Sequence, residues 1–69
     1  MPNTKNTIAK NIKRLRTEQQ LSQDRLSKLA DLSLNTIVTV ESGANENPTI
    51  DTLVKIASAF GVGVDDLMK

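Results

Sequence analysis

The stretch LSQDRLSKLADLSLNTIVTVESG, residues 21–43, decides how the whole chain is read. Ser22 is a good N-cap, because its hydroxyl can accept a hydrogen bond from an orphan N–H of a first helical turn. Leu26, Leu29 and Ala30 follow it at helical spacing. Asp31-Leu32-Ser33 then interrupts the pattern. Ser33 offers a second N-cap, Ile37 and Val40 stand three apart on one face, and Gly43 is placed to close the segment in the left-handed conformation. The stretch predicts two short helices, 23–30 and 34–42, joined by a tight turn.

One conflict with local preference lies inside it. Thr36-Ile37-Val38-Thr39-Val40 is an unbroken β-branched run and reads as a strand when taken alone. As helix it costs about 2 to 3 kcal/mol relative to alanine. No second strand is readable elsewhere to pair with it, and a lone strand leaves its backbone groups unsatisfied. Caps also stand at both ends. Helix is therefore the expectation, stabilised by packing rather than by propensity.

Working outward, residues 1–5 read as a loose polar arm. Helix one is expected from near Asn6 to about Gln19, with Ile8, Ile12 and Leu15 inward and Lys10, Lys13 and Arg14 on its outer faces. In helix two, Ser27 falls where close packing against helix three calls for a small side chain. Residues 44–48 form a polar loop. Thr49 caps helix four, 50–60, with Ile50, Leu53, Ile56, Ala57 and Phe60 inward and Gly61 closing it. Phe60, the only aromatic residue, reads as a core side chain. Val62-Gly63-Val64 leads into a last short helix holding Asp65, Asp66, Leu67 and Met68. The expectation is an all-α, compact five-helix domain that takes in all of 1–69.

A chain of 69 residues sits near the size at which one core is only marginally sufficient. Without cysteine or histidine it has neither disulfides nor an ordinary zinc site, so helix packing must supply the stability. Its apolar runs are a few residues long, which predicts no membrane span, and residues 1–10 lack the apolar centre of a signal peptide. A reducing, cytoplasmic setting follows as the default. Catalysis finds little support: Asp65 and Asp66 are adjacent acids at a helix start, where the dipole alone favours them. The three glycines form no phosphate-cradling loop. No enzyme activity, cofactor or metal is expected.

Net charge is only +1, but it is unevenly distributed. Residues 1–30 carry seven basic against two acidic side chains, and residues 31–69 carry two against six. Such polarity can orient a small domain on a phosphate backbone. The helix pair of 23–42 is a helix-turn-helix, which presents its second helix to the major groove of DNA. With Ile37, Val40 and Glu41 inward, the groove-facing residues are Leu34, Asn35, Val38 and Thr39, with Ser42 at the far end. Asn35 carries the paired donor and acceptor that match adenine, and Leu34 and Val38 offer apolar contact to a thymine methyl, so an A·T-rich half-site is expected. Phosphate positioning falls to Gln23, Ser33 and Thr36 at the two helix starts, with Ser42, Asn45, Lys5 and Lys10. Arg16, which follows core Leu15, and Glu41, four residues after core Ile37, are expected to form an ion pair tying helix one to helix three.

The same residues resemble the Cro/repressor (XRE-like) helix-turn-helix family. The markers are Arg16, Leu21-Ser22-Gln23, Leu26, Ala30, Ser33, Thr36-Ile37, Val40-Glu41, Gly43, Pro48, Leu53, Ile56-Ala57, Phe60-Gly61-Val62 and Asp65-Asp66-Leu67, in one order from Ile8 to Met68. The resemblance implies a five-helix domain that binds operator DNA, usually as a dimer, and it too points to the Arg16–Glu41 pair. Two departures stand out. Asp31 occupies a turn position where the family usually has glycine, and Ser42, Ala44, Asn45, Glu46 and Asn47 make a loop without positive charge where the family's is often basic. The second bears on DNA affinity more than on fold.

Two classes of function follow: a sequence-specific DNA-binding regulator, with repressor as the first choice, or a protein-interaction module or antitoxin-type regulator that binds a partner protein. A weak homodimer on a palindromic operator would use Val62, Val64, Leu67 and Met68. Equally, Leu67 and Val64 could simply close the monomer core.

Overall fold

Each of the three middle helices starts on a hydroxyl. Ser22 Oγ accepts from the Arg25 N–H at 3.0 Å, Ser33 Oγ from Thr36 N–H at 3.1 Å and Thr49 Oγ1 from Thr52 N–H at 3.1 Å. Their ends turn left-handed: at Gly43 and Gly61 with φ of 83° and 76°, and at Asp31 with φ of 57°. The computed structural model describes residues 4–45 and 47–69, with side chains from Thr7 onward. Five helices result: α1 Thr4–Glu18, α2 Gln23–Ala30, α3 Leu34–Ser42, α4 Ile50–Phe60 and α5 Asp65–Met68. No strand occurs among the described residues. Helix α1 starts two residues ahead of the expected Asn6 and so takes in the last two residues of the expected arm.

Helix α1 packs on α3 and α5, α2 packs on α3 and α4, and α4 meets α5. The core at their junction holds Ile8, Ile12, Leu15, Leu26, Ala30, Ile37, Val40, Leu53, Ile56, Ala57, Phe60 and Leu67. Ile37 and Val40 explain why the β-branched run is helical. Burying two such side chains contributes about 3 to 6 kcal/mol, enough to offset the cost in propensity. Ser27 is buried as expected, its hydroxyl donating to Asp24 O at 2.6 Å.

Three expectations need correction. Leu29 is exposed, because the buried stripe of α2 runs through Leu26, Ser27 and Ala30 and leaves Leu29 beyond its edge. Ile50 is 66% exposed: it is the first residue of α4, and no neighbouring helix covers it. Leu67 is fully buried in the monomer's own core and is unavailable to a second copy.

Two amides lock the helices together. Asn11 Nδ2 donates from α1 to Leu67 O at 2.8 Å and Lys69 O at 3.1 Å, satisfying carbonyls at the end of α5. Gln19 Nε2 donates to Phe60 O at 2.9 Å and does the same for α4.

Candidate nucleic-acid interface

The orientation of α3 is set from beneath. Ile37 and Val40 anchor it in the core, and Glu41 on the same side is held by α1. Arg16 Nε donates to Glu41 Oε2 at 3.0 Å and Arg16 Nη2 to Oε1 at 2.8 Å, a two-pronged pair. Arg16 Nη1 donates to Leu21 O at 2.8 Å, so one guanidinium also fixes the loop that leads into α2. The side chains are 19% and 6% exposed. The hydrogen bond to Glu41 raises the Arg16 pKa above the usual arginine range, outweighing the opposite effect of burial, and the carboxylate's charge adds to it.

With that face anchored, the opposite face of α3 stands in solvent. Leu34 is 45% and Val38 38% exposed, Asn35 and Ser42 are exposed, and Thr39 is half-buried. The side-chain amide of Asn35 makes no hydrogen bond among the described residues, so its donor and acceptor are both free. The hydroxyls are engaged locally. Thr39 Oγ1 donates to Asn35 O at 2.9 Å and Thr36 O at 3.1 Å, and Ser42 Oγ donates to Thr39 O at 3.2 Å.

At the start of α3 the Ser33 and Thr36 hydroxyls lie 2.8 Å apart, and the first turn holds no acid that would repel an anion. At the start of α2, Gln23 is half-buried, and Asp24 is paired with Lys28 at 3.0 Å. Asn45 lies just past α3, its N–H donating to Thr39 O and its Oδ1 accepting from Asn47 N–H. Lys10 is exposed on α1, and the side chain of Lys5 lies outside the described residues. The structure thus brings Leu34, Asn35, Val38 and Thr39 onto one face, with Ser33 and Thr36 at its head and Ser42 and Asn45 at its foot.

Two cations to which the sequence assigned no phosphate contact, Lys13 and Arg25, become visible by elimination alongside Lys10. Arg14 pairs with Glu18, Lys28 with Asp24, Lys55 with Asp51 and Lys69 with Asp66. Three of these are i,i+4 pairs readable from spacing alone. Among the described residues Lys10, Lys13 and Arg25 make no ion pair, and Arg25 stands in the first turn of α2. The described residues contain no acid or histidine grouping fit for a metal, no pocket and no helix long and apolar enough to cross a membrane.

The helix-turn-helix family model matches residues 12–67. Among solved structures, a transcriptional regulator of that family from Vibrio cholerae is similar at 34% identity with a TM-score of 0.86. The alignment covers 93% of this chain and 35% of that one, so the chain spans about a third of the regulator's length. No curated protein is similar at a significant level.

Proposed function

This chain belongs to the Cro/repressor-type helix-turn-helix family, and from that premise we propose that it is a sequence-specific DNA-binding regulator that lays α3 in the major groove of an operator half-site. The observation that carries this is the exposed row of Leu34, Asn35 and Val38 on a helix whose other side is anchored by Ile37, Val40 and Glu41. A rigidly held helix with a free carboxamide at its amino end suits base recognition. Backbone amides at the starts of α2 and α3, with Gln23, Ser33, Thr36, Ser42 and Asn45, position it on phosphates, and Lys5 and Lys10 add charge. The domain, 1–69, works as a binding module rather than a catalyst, in the cytoplasm, and as a repressor by blocking its operator.

Two copies pair weakly on a palindrome through Val62, Val64 and Met68, with their α3 helices about 34 Å apart. Leu67 drops out of that surface because it is buried.

A chemical-shift titration with unrelated duplex DNA at low and moderate salt tests the reading. Shifts confined to α2 and α3 that weaken with salt support it. An unperturbed spectrum at low salt, or shifts centred on α4 and α5, would favour a protein-interaction module instead.

A further inference from the structure

Asp31 holds the turn between α2 and α3 with its backbone alone. It ends α2 in the left-handed region, with φ of 57°, and its N–H donates to Lys28 O at 3.3 Å. The side chain is exposed and makes no hydrogen bond or ion pair among the described residues. Other acids are compensated: Glu18 by Arg14, Asp24 by Lys28, Glu41 by Arg16, Asp51 by Lys55 and Asp66 by Lys69. Asp65 is also free, but it stands at the start of α5. Two residues after Asp31, Ser33 caps α3, and two Cα–Cα steps span at most about 7 Å. From Leu29 to Val54 the sequence contains no lysine or arginine to offset the charge.

We propose that Asp31 is an electrostatic brake on DNA binding: its free carboxylate opposes the seating of a phosphate at the head of α3. The inference rests on the DNA-binding reading above and names what limits it. The start of a helix attracts an anion with the equivalent of about half a positive charge. A full negative charge within about a Debye length, roughly 10 Å at 0.1 M salt, offsets that attraction. At such a separation, between the dielectric of water and that of a protein surface, the repulsion weakens binding about twofold to fivefold. Phosphate contacts carry no sequence information, so every duplex is penalised alike. Unrelated DNA is thereby held weakly, and stable residence is left to duplexes that also satisfy the base contacts of α3.

The test compares the full chain with Asp31→Asn and Asp31→Gly on two duplexes, one selected from random DNA and one unrelated, at about 0.05 and 0.2 M salt. Asparagine keeps the shape of the side chain and tolerates the left-handed region as aspartate does, so Asp31→Asn changes the charge alone. It should strengthen binding to both duplexes by about the same factor, twofold to fivefold at the lower salt, and by less at the higher salt as the Debye length shortens. Asp31→Gly should show the same gain. Unchanged affinity in Asp31→Asn overturns the proposal and leaves DNA binding intact. So does a gain confined to Asp31→Gly, which would trace to the backbone, a gain that ignores salt, or a gain for one duplex only. Failure of the wild-type chain to bind any duplex overturns the DNA-binding reading as well.

Discussion

Glu41 of α3 accepts two hydrogen bonds, of 3.0 and 2.8 Å, from Arg16 of α1, and the same guanidinium donates to Leu21 O at 2.8 Å. The pair is sheltered, with all three guanidinium nitrogens donating, and it sets how α3 sits on α1. Removing one member of such a pair leaves an uncompensated charge, at a cost of about 3 to 5 kcal/mol. Glu41→Gln, followed by urea unfolding, should lose an amount near the low end of that range, since Arg16 is 19% exposed. A loss under about 0.5 kcal/mol is what an exposed pair would give and would rule the structural role out. The Arg16 pKa is raised on folding. A cation with a raised pKa contributes stability that is fully present below its unfolded pKa and is lost only as pH climbs through the folded one. No loss traceable to Arg16 is therefore expected between about pH 5 and 10.

Asn11 joins α1 to α5 by donating to Leu67 O and Lys69 O. Asn11→Ala removes these bonds, at about 1 kcal/mol or more, and recovers about 0.5 kcal/mol of helix propensity in α1. A small net loss of global stability is expected, with a larger local effect. Amide exchange at Asp66 and Leu67, whose N–H groups bond Gly63 O and Val64 O, should accelerate well beyond that of the α4 core. Uniform acceleration across all helices would show that Asn11 does not hold α5 specifically.

Most helix bounds were legible because each boundary is written in one local residue: Ser22, Ser33 and Thr49 at the starts, Gly43 and Gly61 at the ends. The outward row of α3 was legible for a similar reason, since Ile37, Val40 and Glu41 fix the helix's rotation. Leu29 and Ile50 were misplaced because periodicity says which residues share a stripe, whereas burial depends on where the neighbouring helices end. The bonds of Asn11 and Gln19 to carbonyls more than 40 residues away follow from tertiary structure alone, as does the freedom of Arg25. Gln20 in the left-handed region has no signature in an otherwise ordinary polar loop, whereas Asp31 stands where the resembled family usually has glycine.

Both of those residues have φ of 57°. A side chain there costs about 1 to 2 kcal/mol, while glycine loses about 0.4 to 1 kcal/mol through its freer unfolded state. Gln20→Gly should therefore gain roughly 0.5 to 1 kcal/mol, which raises the melting temperature by several degrees in a domain of this size. Asp31→Gly should gain less, because aspartate tolerates this region better than most residues. A lower melting temperature for Gln20→Gly would mean that the side chain makes up for its backbone strain.

With five cations paired to acids, DNA affinity should depend only gently on salt. Lys10, Lys13 and Arg25 are the described cations free to meet phosphate. At about −0.9 per phosphate neutralised, three contacts give a log–log slope near −3 per protomer. Arg25→Gln should make the slope shallower by about one unit and weaken all sequences alike. A slope steeper than about −6 would place the basic surface elsewhere.

The base-reading role of Asn35 is the sharpest consequence of the interface. It stands at the exposed amino end of α3, its amide makes no hydrogen bond among the described residues, and no other outward side chain of that helix offers a free donor and acceptor together. That pair of groups matches adenine N6 and N7. Without arginine or lysine on the helix, the bidentate guanine contact has no donor. Sites selected from random duplexes should therefore be A·T-rich beneath α3, and repeating the selection with Asn35→Ala should relax one position by about 1 to 3 kcal/mol while leaving the others unchanged. The substitution is at an exposed helical position, so the fold and the Arg16–Glu41 pair should survive it, which a thermal melt can verify. Selected sites dominated by guanine under α3, or an equal loss of affinity for every sequence, would show that Asn35 positions the helix without reading a base.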